Sequence, residues 1–115
     1  MRYVKIETFI PEDSVISVIS ALNDADLLGE GSYDSVYASS RVTGHWRPLE
    51  GADPHIGEVG KLESQPELKI EFRIKADDLR QTLSIIEREH PYETPVINVF
   101  QVYGLKFWPP STPIE

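Results

Sequence analysis

The spacing of apolar and polar residues along the chain predicts four strands and two helices. Period-two alternation predicts strands over residues 2–10, 33–42, 68–75 and 96–103. Apolar positions at helical spacing predict helices over residues 11–24 and 77–89. Pro11 ends the first strand and suits a first helical turn, and Asp77 is the predicted N-cap of the second helix. That helix is expected to stop before Pro91, because a residue preceding proline avoids the α region.

The resulting order, β-α-β-β-α-β, is typical of the ferredoxin-like split β-α-β arrangement, an α+β fold. Two helices cover only one face of such a sheet. The other face receives Tyr3 and Phe9 from the first strand, while the last strand, over residues 96–103, is apolar on both of its faces. An apolar sheet face without cover inside the chain predicts that other subunits supply it.

Composition narrows the classes of protein and partner. The 115 residues predict one domain over 1–104, followed by an extended, proline-rich tail over 105–115. The absence of cysteine excludes disulfides, thiolate zinc sites and cysteine nucleophiles, and it fits a reducing compartment. The first residues form neither a signal peptide nor a membrane span, so a cytoplasmic protein without membrane partners is expected. A net charge of −8 argues against nucleic acid as a ligand.

Residues 41–61 form the best candidate for a site. They contain four of the seven glycines, two of the nine prolines and two of the three histidines, a mixture that favours a shaped loop. One interpretation is a cradle for a small anion, built from basic side chains and backbone N–H groups near glycines. It consists of the side chains of Arg41, Arg47 and Lys61 and the backbone N–H groups around Gly44, Gly51, Gly57 and Gly60, with Trp46 available to stack on a ligand. In the alternative, Arg47 pairs with Glu50 or Glu58 and the loop only contacts a neighbouring subunit.

A metal ion is the second ligand that this loop could hold. Imidazole and carboxylate are suitable donors for first-row divalent metals, and a mononuclear site needs three or four of them. The loop offers His45, His55, Glu50 and Glu58, although their spacing matches no metal-binding motif and a solvated loop is the default interpretation.

The segment His90-Pro-Tyr-Glu-Thr-Pro95 is the other candidate. His90, Tyr92 and Glu93 could bind a cation or small ligand. Alternatively, the segment is a helix-to-strand joint in which His90 contacts the free carbonyls of the helix end. No motif places a nucleophile beside a base, so the sequence assigns no catalytic residue.

Two separated motifs, Arg47-Pro-Leu-Glu-Gly-Ala-Asp-Pro-His-Ile-Gly-Glu-Val-Gly-Lys-Leu-Glu63 and His90-Pro-Tyr-Glu-Thr-Pro95, carry a family resemblance. Together they resemble the YqfO-like domain that is inserted in many bacterial dinuclear-metal-centre proteins of the NGG-interacting-factor-three family and also occurs as a stand-alone protein. The second motif is also similar to CutA, the trimeric divalent-cation-tolerance protein. The resemblance implies a PII/CutA-like homotrimer.

The resemblance does not imply an activity. In that family the paired metal is held by flanking halves that are missing here, so the dinuclear centre is not expected in this chain. His45 and His55 depart from the usual family pattern, and these departures could create a metal site particular to this chain or have no function. We therefore predict a trimeric binding or regulatory module with an inter-subunit site for a small anion or a divalent metal ion. The alternatives are a CutA-like divalent-cation-binding protein and a hydrolase associated with the dinuclear family.

Overall fold

The fold is a four-stranded antiparallel sheet with two helices on one face, and the computed structural model describes residues 2–103. The strands are β1 (Tyr3–Pro11), β2 (Ala38–Trp46), β3 (Glu63–Lys75) and β4 (Ile97–Val102). The helices are α1 (Val15–Asp24) and α2 (Leu79–Glu89), and each follows a single 3₁₀ turn. The strand order β2-β3-β1-β4 confirms the predicted α+β ferredoxin-like fold. The predicted extended tail lies outside the described residues.

The hydrophobic core lies between the helices and the alternating inward residues of the two central strands. Its fully buried members include Ile6, Ile10, Val18, Leu22, Ile70 and Ile86. Thr8 occupies an inward position among them, and its hydroxyl donates a hydrogen bond to the carbonyl of Val96 at 2.9 Å. The polar atom is therefore satisfied, as a buried hydroxyl must be.

The opposite sheet face, which we call the open face, is not covered by a helix of the described chain. By strand alternation it carries Tyr3, Lys5 and Phe9 of β1 beside Glu71 of β3 and Phe100 of β4. Lys5 Nζ lies 3.0 Å from Glu71 Oε1 and 4.9 Å from the centre of the Phe100 ring. Phe100 nevertheless remains 42% exposed, so the open face keeps apolar surface in contact with solvent.

The boundaries of the second and third strands differ from the prediction. β2 begins at Ala38 rather than residue 33 and continues to Trp46, so residues 41–46 are strand and the connecting loop is shorter than predicted. β3 begins at Glu63 rather than residue 68, and it pairs with this extension through His45 opposite Ser64 and Trp46 opposite Glu63. The extended hairpin is mostly polar and exposed, so backbone pairing maintains it without an apolar alternation that the sequence pattern could reveal.

The predicted N-cap of the second helix is also corrected. Asp77 lies within the 3₁₀ turn Ala76–Asp78, and Asp78 precedes α2 without a side-chain capping hydrogen bond. The 3₁₀ turn supplies the helix entry that the sequence assigned to a capping side chain. Across the described residues, neither helix has the length and hydrophobicity required to span a membrane.

Candidate functional site

A cavity of about 600 Å³ lies where the extended hairpin, the β2–β3 loop and the segment before β4 meet; we call it the hairpin cavity. Its walls are largely apolar and aromatic, with Trp46 from β2 and Phe9 from β1. The loop adds His55 and Ile56, and the segment before β4 adds Tyr92. Strand alternation places Phe9 and Trp46 on the open face, so the cavity opens at one end of that face.

The loop over the cavity is held by backbone conformation and by hydrogen bonds. Gly51 and Gly57 have φ values of +94° and +108°, which side-chain-bearing residues rarely adopt. The Gly60 N–H donates to the Pro48 carbonyl at 2.7 Å, and the Trp46 indole N–H donates to the Ile56 carbonyl at 3.2 Å. Gly51 and Gly57 therefore shape the loop, while Trp46 fastens it to the hairpin.

The most buried charged group of the cavity is Glu67, which the sequence analysis did not select. The residue is only 4% exposed, and its Oε2 accepts a hydrogen bond of 2.5 Å from the Tyr92 hydroxyl. Burial, followed by the adjacent Glu67 carboxylate, raises the pKa of Tyr92, so the phenol stays protonated and donates this bond. Tyr92 thus links the segment before β4 to the central strand β3 through Glu67.

Gly44 makes the space that Glu67 occupies. A Cβ placed on Gly44 would lie 2.5 Å from Glu67 Cδ and 2.7 Å from its Oε2, closer than real Cβ contacts. Glu67 of β3 lies opposite Val42 of β2, and Gly44 lies two residues further along β2, on the same face of the sheet. A glycine inside a strand often marks such a close approach, and this was the sequence signal that could have revealed Glu67. Glu67 lies just before the strand predicted over residues 68–75, so the sequence pattern assigned it no role.

Three of the predicted site residues surround the Tyr92 ring. The Trp46 ring centre lies 5.5 Å from that of Tyr92, His55 lies at 6.2 Å and His90 at 4.9 Å, all tilted by about 50°. Glu93 lies at the edge, where its carboxylate accepts hydrogen bonds of 3.1 and 3.3 Å from the Asp53 N–H. The loop and the segment before β4 therefore converge, as an inter-element site requires.

His90 has a structural role in this arrangement. It is 5% exposed, its Nε2 lies 2.7 Å from the Phe9 carbonyl, and its Nδ1 accepts a hydrogen bond from the Tyr92 N–H. Because Nδ1 accepts, Nε2 carries the proton and the ring is neutral; burial lowers the pKa of His90 accordingly. The predicted contact with the carbonyls of the helix end is wrong, because the side chain bonds to β1 instead.

The remaining predicted residues do not form one cluster. Arg47 and His45 line the cavity, whereas Arg41, Glu50 and Lys61 lie outside its lining. Lys61 Nζ is 2.8 Å from Glu58 Oε2 on the protein surface. Glu58 forms its ion pair with Lys61, and within the described residues no ion pair joins Arg47 to Glu50 or Glu58. The predicted pairing of Arg47 with these carboxylates is therefore wrong.

The predicted metal ligands are His45, His55, Glu58, His90 and Glu93. Within residues 2–103 of one chain, no three His, Cys, Asp or Glu side chains converge on a position where a metal ion could bind. Both ring nitrogens of His90 are engaged in hydrogen bonds, and Glu58 faces Lys61. These five side chains therefore form no metal site inside a single chain.

Comparison with curated proteins identifies relatives that are much longer than this chain. No family model matches the chain. Over 108 residues the chain is 36% identical to a protein of Staphylococcus epidermidis named GTP cyclohydrolase 1 type 2 homolog, and equally to its Staphylococcus aureus namesake. Each match covers 90% of this chain and 30% of the relative, so the chain spans less than a third of the length of these curated relatives.

Comparison with solved structures identifies proteins that contain the same fold. A Bacillus cereus protein related to NIF3 matches with a TM-score of 0.76 and 30% identity, over 90% of this chain and 26% of that protein. The periplasmic divalent cation tolerance protein CutA of Archaeoglobus fulgidus matches with a TM-score of 0.68 and 16% identity, over 92% of this chain and 90% of that one. The latter likeness shows the fold alone. The chain is thus a small CutA-like domain related in sequence to one segment of larger NIF3-related proteins, which confirms the resemblance found in its two motifs.

Proposed function

We propose that the chain is a ligand-binding module that assembles as a homotrimer and holds a small molecule in the hairpin cavity. The observation that carries this proposal is a buried carboxylate, Glu67, in the wall of a largely apolar cavity. Cavities of roughly 300–1,000 Å³ with apolar walls and a few fixed polar groups are typical of small-molecule sites. Glu67, held by Tyr92, is such a fixed polar group.

The open face supports the assembly part of the proposal. Phe100 is 42% exposed there, beside the half-exposed Lys5 and Glu71 pair, and the same face continues into the cavity through Phe9. The CutA-like fold and the motif likeness to CutA are consistent with a trimer in which open faces meet. A neighbouring subunit would then border the cavity, and the ligand would lie between subunits.

Binding explains the site better than catalysis does. In the described residues, both ring nitrogens of His90 are engaged in hydrogen bonds and no serine or threonine hydroxyl donates to Glu67, so no nucleophile and base are paired here. The relatives named for GTP cyclohydrolase are larger than this chain, and we propose that its counterpart in them supplies binding or assembly. We also retain a cytoplasmic location, which the lack of cysteine supports.

Native mass spectrometry of the untagged protein tests both parts of the proposal. We expect a trimer that carries a small molecule after mild purification and loses it in Glu67→Gln. Addition of zinc, magnesium and a nucleotide panel tests the predicted metal and anion ligands in the same spectra. A monomer at micromolar concentration would refute the assembly, and a trimer that binds nothing in any condition would refute the ligand site.

A matched pair of variants locates the interface. Phe100→Arg places a charge on the open face and is expected to convert trimer to monomer. Ile16→Arg makes the same kind of change at an 80% exposed position of α1, on the helix side, and should leave the trimer intact. Equal effects of the two variants would show that the open face is not the interface.

A further inference from the structure

We propose that the ligand of the hairpin cavity is a small organic cation, an amine or amidinium group on an apolar body. This inference rests on the proposed binding function and specifies the ligand class of the same cavity. It departs from the small anion and the metal ion that the sequence suggested, because the polar groups found inside the cavity differ from those that the sequence selected.

The charge of Glu67 is the first step. Its Oε2 accepts the Tyr92 hydroxyl, a neutral donor, and within residues 2–103 no lysine or arginine forms an ion pair with the carboxylate. Its Oε1 accepts no hydrogen bond in this part of the chain and is not sealed from solvent. A ligand that fills the cavity removes that solvent, and a desolvated carboxylate then requires a cationic or N–H-donating partner.

The aromatic walls are the second step. Trp46 and Tyr92 have ring centres 5.5 Å apart and planes tilted by 50°, and the His55 ring lies 6.2 Å from that of Tyr92 at a similar tilt. Tilted rings form the walls of a pocket rather than a parallel slot for one flat ring. Aromatic faces attract cations through their quadrupole, most strongly when water is excluded. The same walls pack against the apolar body of the ligand.

The other charges near the cavity do not reverse this preference. Arg47 is exposed, so water screens its charge, and Glu93 adds a second carboxylate at the edge. His90 is neutral, as its two hydrogen bonds require. An anion in the cavity would lie near Glu67, and within residues 2–103 no lysine or arginine is buried to balance it. The chain as a whole carries a net charge of −8 and attracts cations from a distance.

Three probes of nearly equal shape and different charge test the inference. We would titrate benzamidinium, benzamide and benzoate into the Trp108→Phe protein, in which Trp46 is the remaining tryptophan. Trp46 fluorescence should respond saturably to benzamidinium, at least tenfold more weakly to benzamide, and not to benzoate. Glu67→Gln should weaken benzamidinium binding at least tenfold and leave benzamide binding unchanged. Glu50→Gln removes the same charge from an exposed loop position outside the lining and should alter neither.

The outcomes distinguish a failure of the cationic ligand from a failure of the proposed binding function. Benzoate or benzamide binding as tightly as benzamidinium would overturn the cationic ligand and leave the binding function standing. No response to any probe from a folded trimer would overturn both. If, in addition, Glu67→Gln changed only the trimer–monomer equilibrium, the cavity would belong to a contact between copies. If Glu67→Gln did not fold, the charge series measured on the parent protein would still decide.

Discussion

Gly44→Ala is the sharpest test of how the cavity is built. The added methyl group would stand 2.5 Å from Glu67 Cδ, so the carboxylate must leave its position. The neighbouring cavity gives the side chain somewhere to move, and the substitution should therefore be tolerated by the fold. The carboxylate cannot move away and still accept the 2.5 Å hydrogen bond from Tyr92. The variant should consequently break the Glu67–Tyr92 link without altering either partner chemically.

The expected size follows from two opposing contributions. Loss of a hydrogen bond to a charged group costs about 1.5–3 kcal/mol. Alanine is more favourable than glycine inside a regular element by roughly 0.5–1 kcal/mol. The net effect on the free energy of unfolding should be a loss of about 0.5–2.5 kcal/mol. In a Glu67→Ala background the first contribution is absent, so Gly44→Ala should be neutral or stabilise by roughly 0.5–1 kcal/mol.

A double-mutant cycle measures the difference. Urea unfolding of the four proteins, followed by circular dichroism at one fixed protein concentration, gives a free energy of unfolding for each. Fixed concentration is needed because a self-associating protein gains stability by mass action. We expect Gly44→Ala to destabilise the parent protein and to be neutral or stabilising in the Glu67→Ala background. Equal costs, within about 0.5 kcal/mol, would refute the conclusion that Glu67 occupies the space left by Gly44.

Three further predictions concern the loop, the joint and the buried hydrogen bond. Gly51→Val should lower the free energy of unfolding by about 1–2 kcal/mol, because φ is +94° at this position. Ile70→Ala removes a core side chain and should lower it by about 2–5 kcal/mol. Equal decreases in melting temperature for the two variants would contradict a strain confined to the loop. Burial lowers the pKa of His90 below its ordinary 6.5, so its contribution to stability is complete above pH 6.5 and is lost as the pH falls towards the folded-state pKa. Urea unfolding between pH 8 and 5 should therefore show a shallower decline for His90→Gln than for the parent, and parallel curves would exclude this role. Tyr92→Phe should cost about 1.5–3 kcal/mol by leaving the Glu67 carboxylate without its donor, and a loss below about 0.5 kcal/mol in the same assay would contradict the bond.

The parts of the fold that the sequence predicted well are those in which one face of an element is buried. Ile70, Phe72 and Ile74 alternate with Lys69 and Arg73, and the structure buries the apolar set against the helices. A one-residue slip would exchange the two faces, so this pattern specifies the strand strongly. The extension of β2 to Trp46 has no such pattern, because its residues are held by pairing with a distant segment.

The candidate site was only partly predictable for the same reason. The glycine- and proline-rich loop and the segment before β4 were identified, and Trp46, His55 and Tyr92 do meet in one cavity. Glu67 was missed because it lies just before the predicted strand, and Gly44 was considered only for the backbone N–H groups of an anion cradle. Their meaning depends on the pairing register, which brings them together across two strands.

β1 shows why a face can be predicted from sequence when a site cannot. Thr8 and Ile10 point into the core, while Phe9 between them points to the open face, and alternation alone assigns each side. Alternation does not show that Phe9 lines a cavity while its carbonyl receives the His90 ring. Those contacts require the chain to return after α2, some eighty residues later. The local pattern thus decides which side chains can reach the cavity, and the long-range return of the chain decides which of them form its walls.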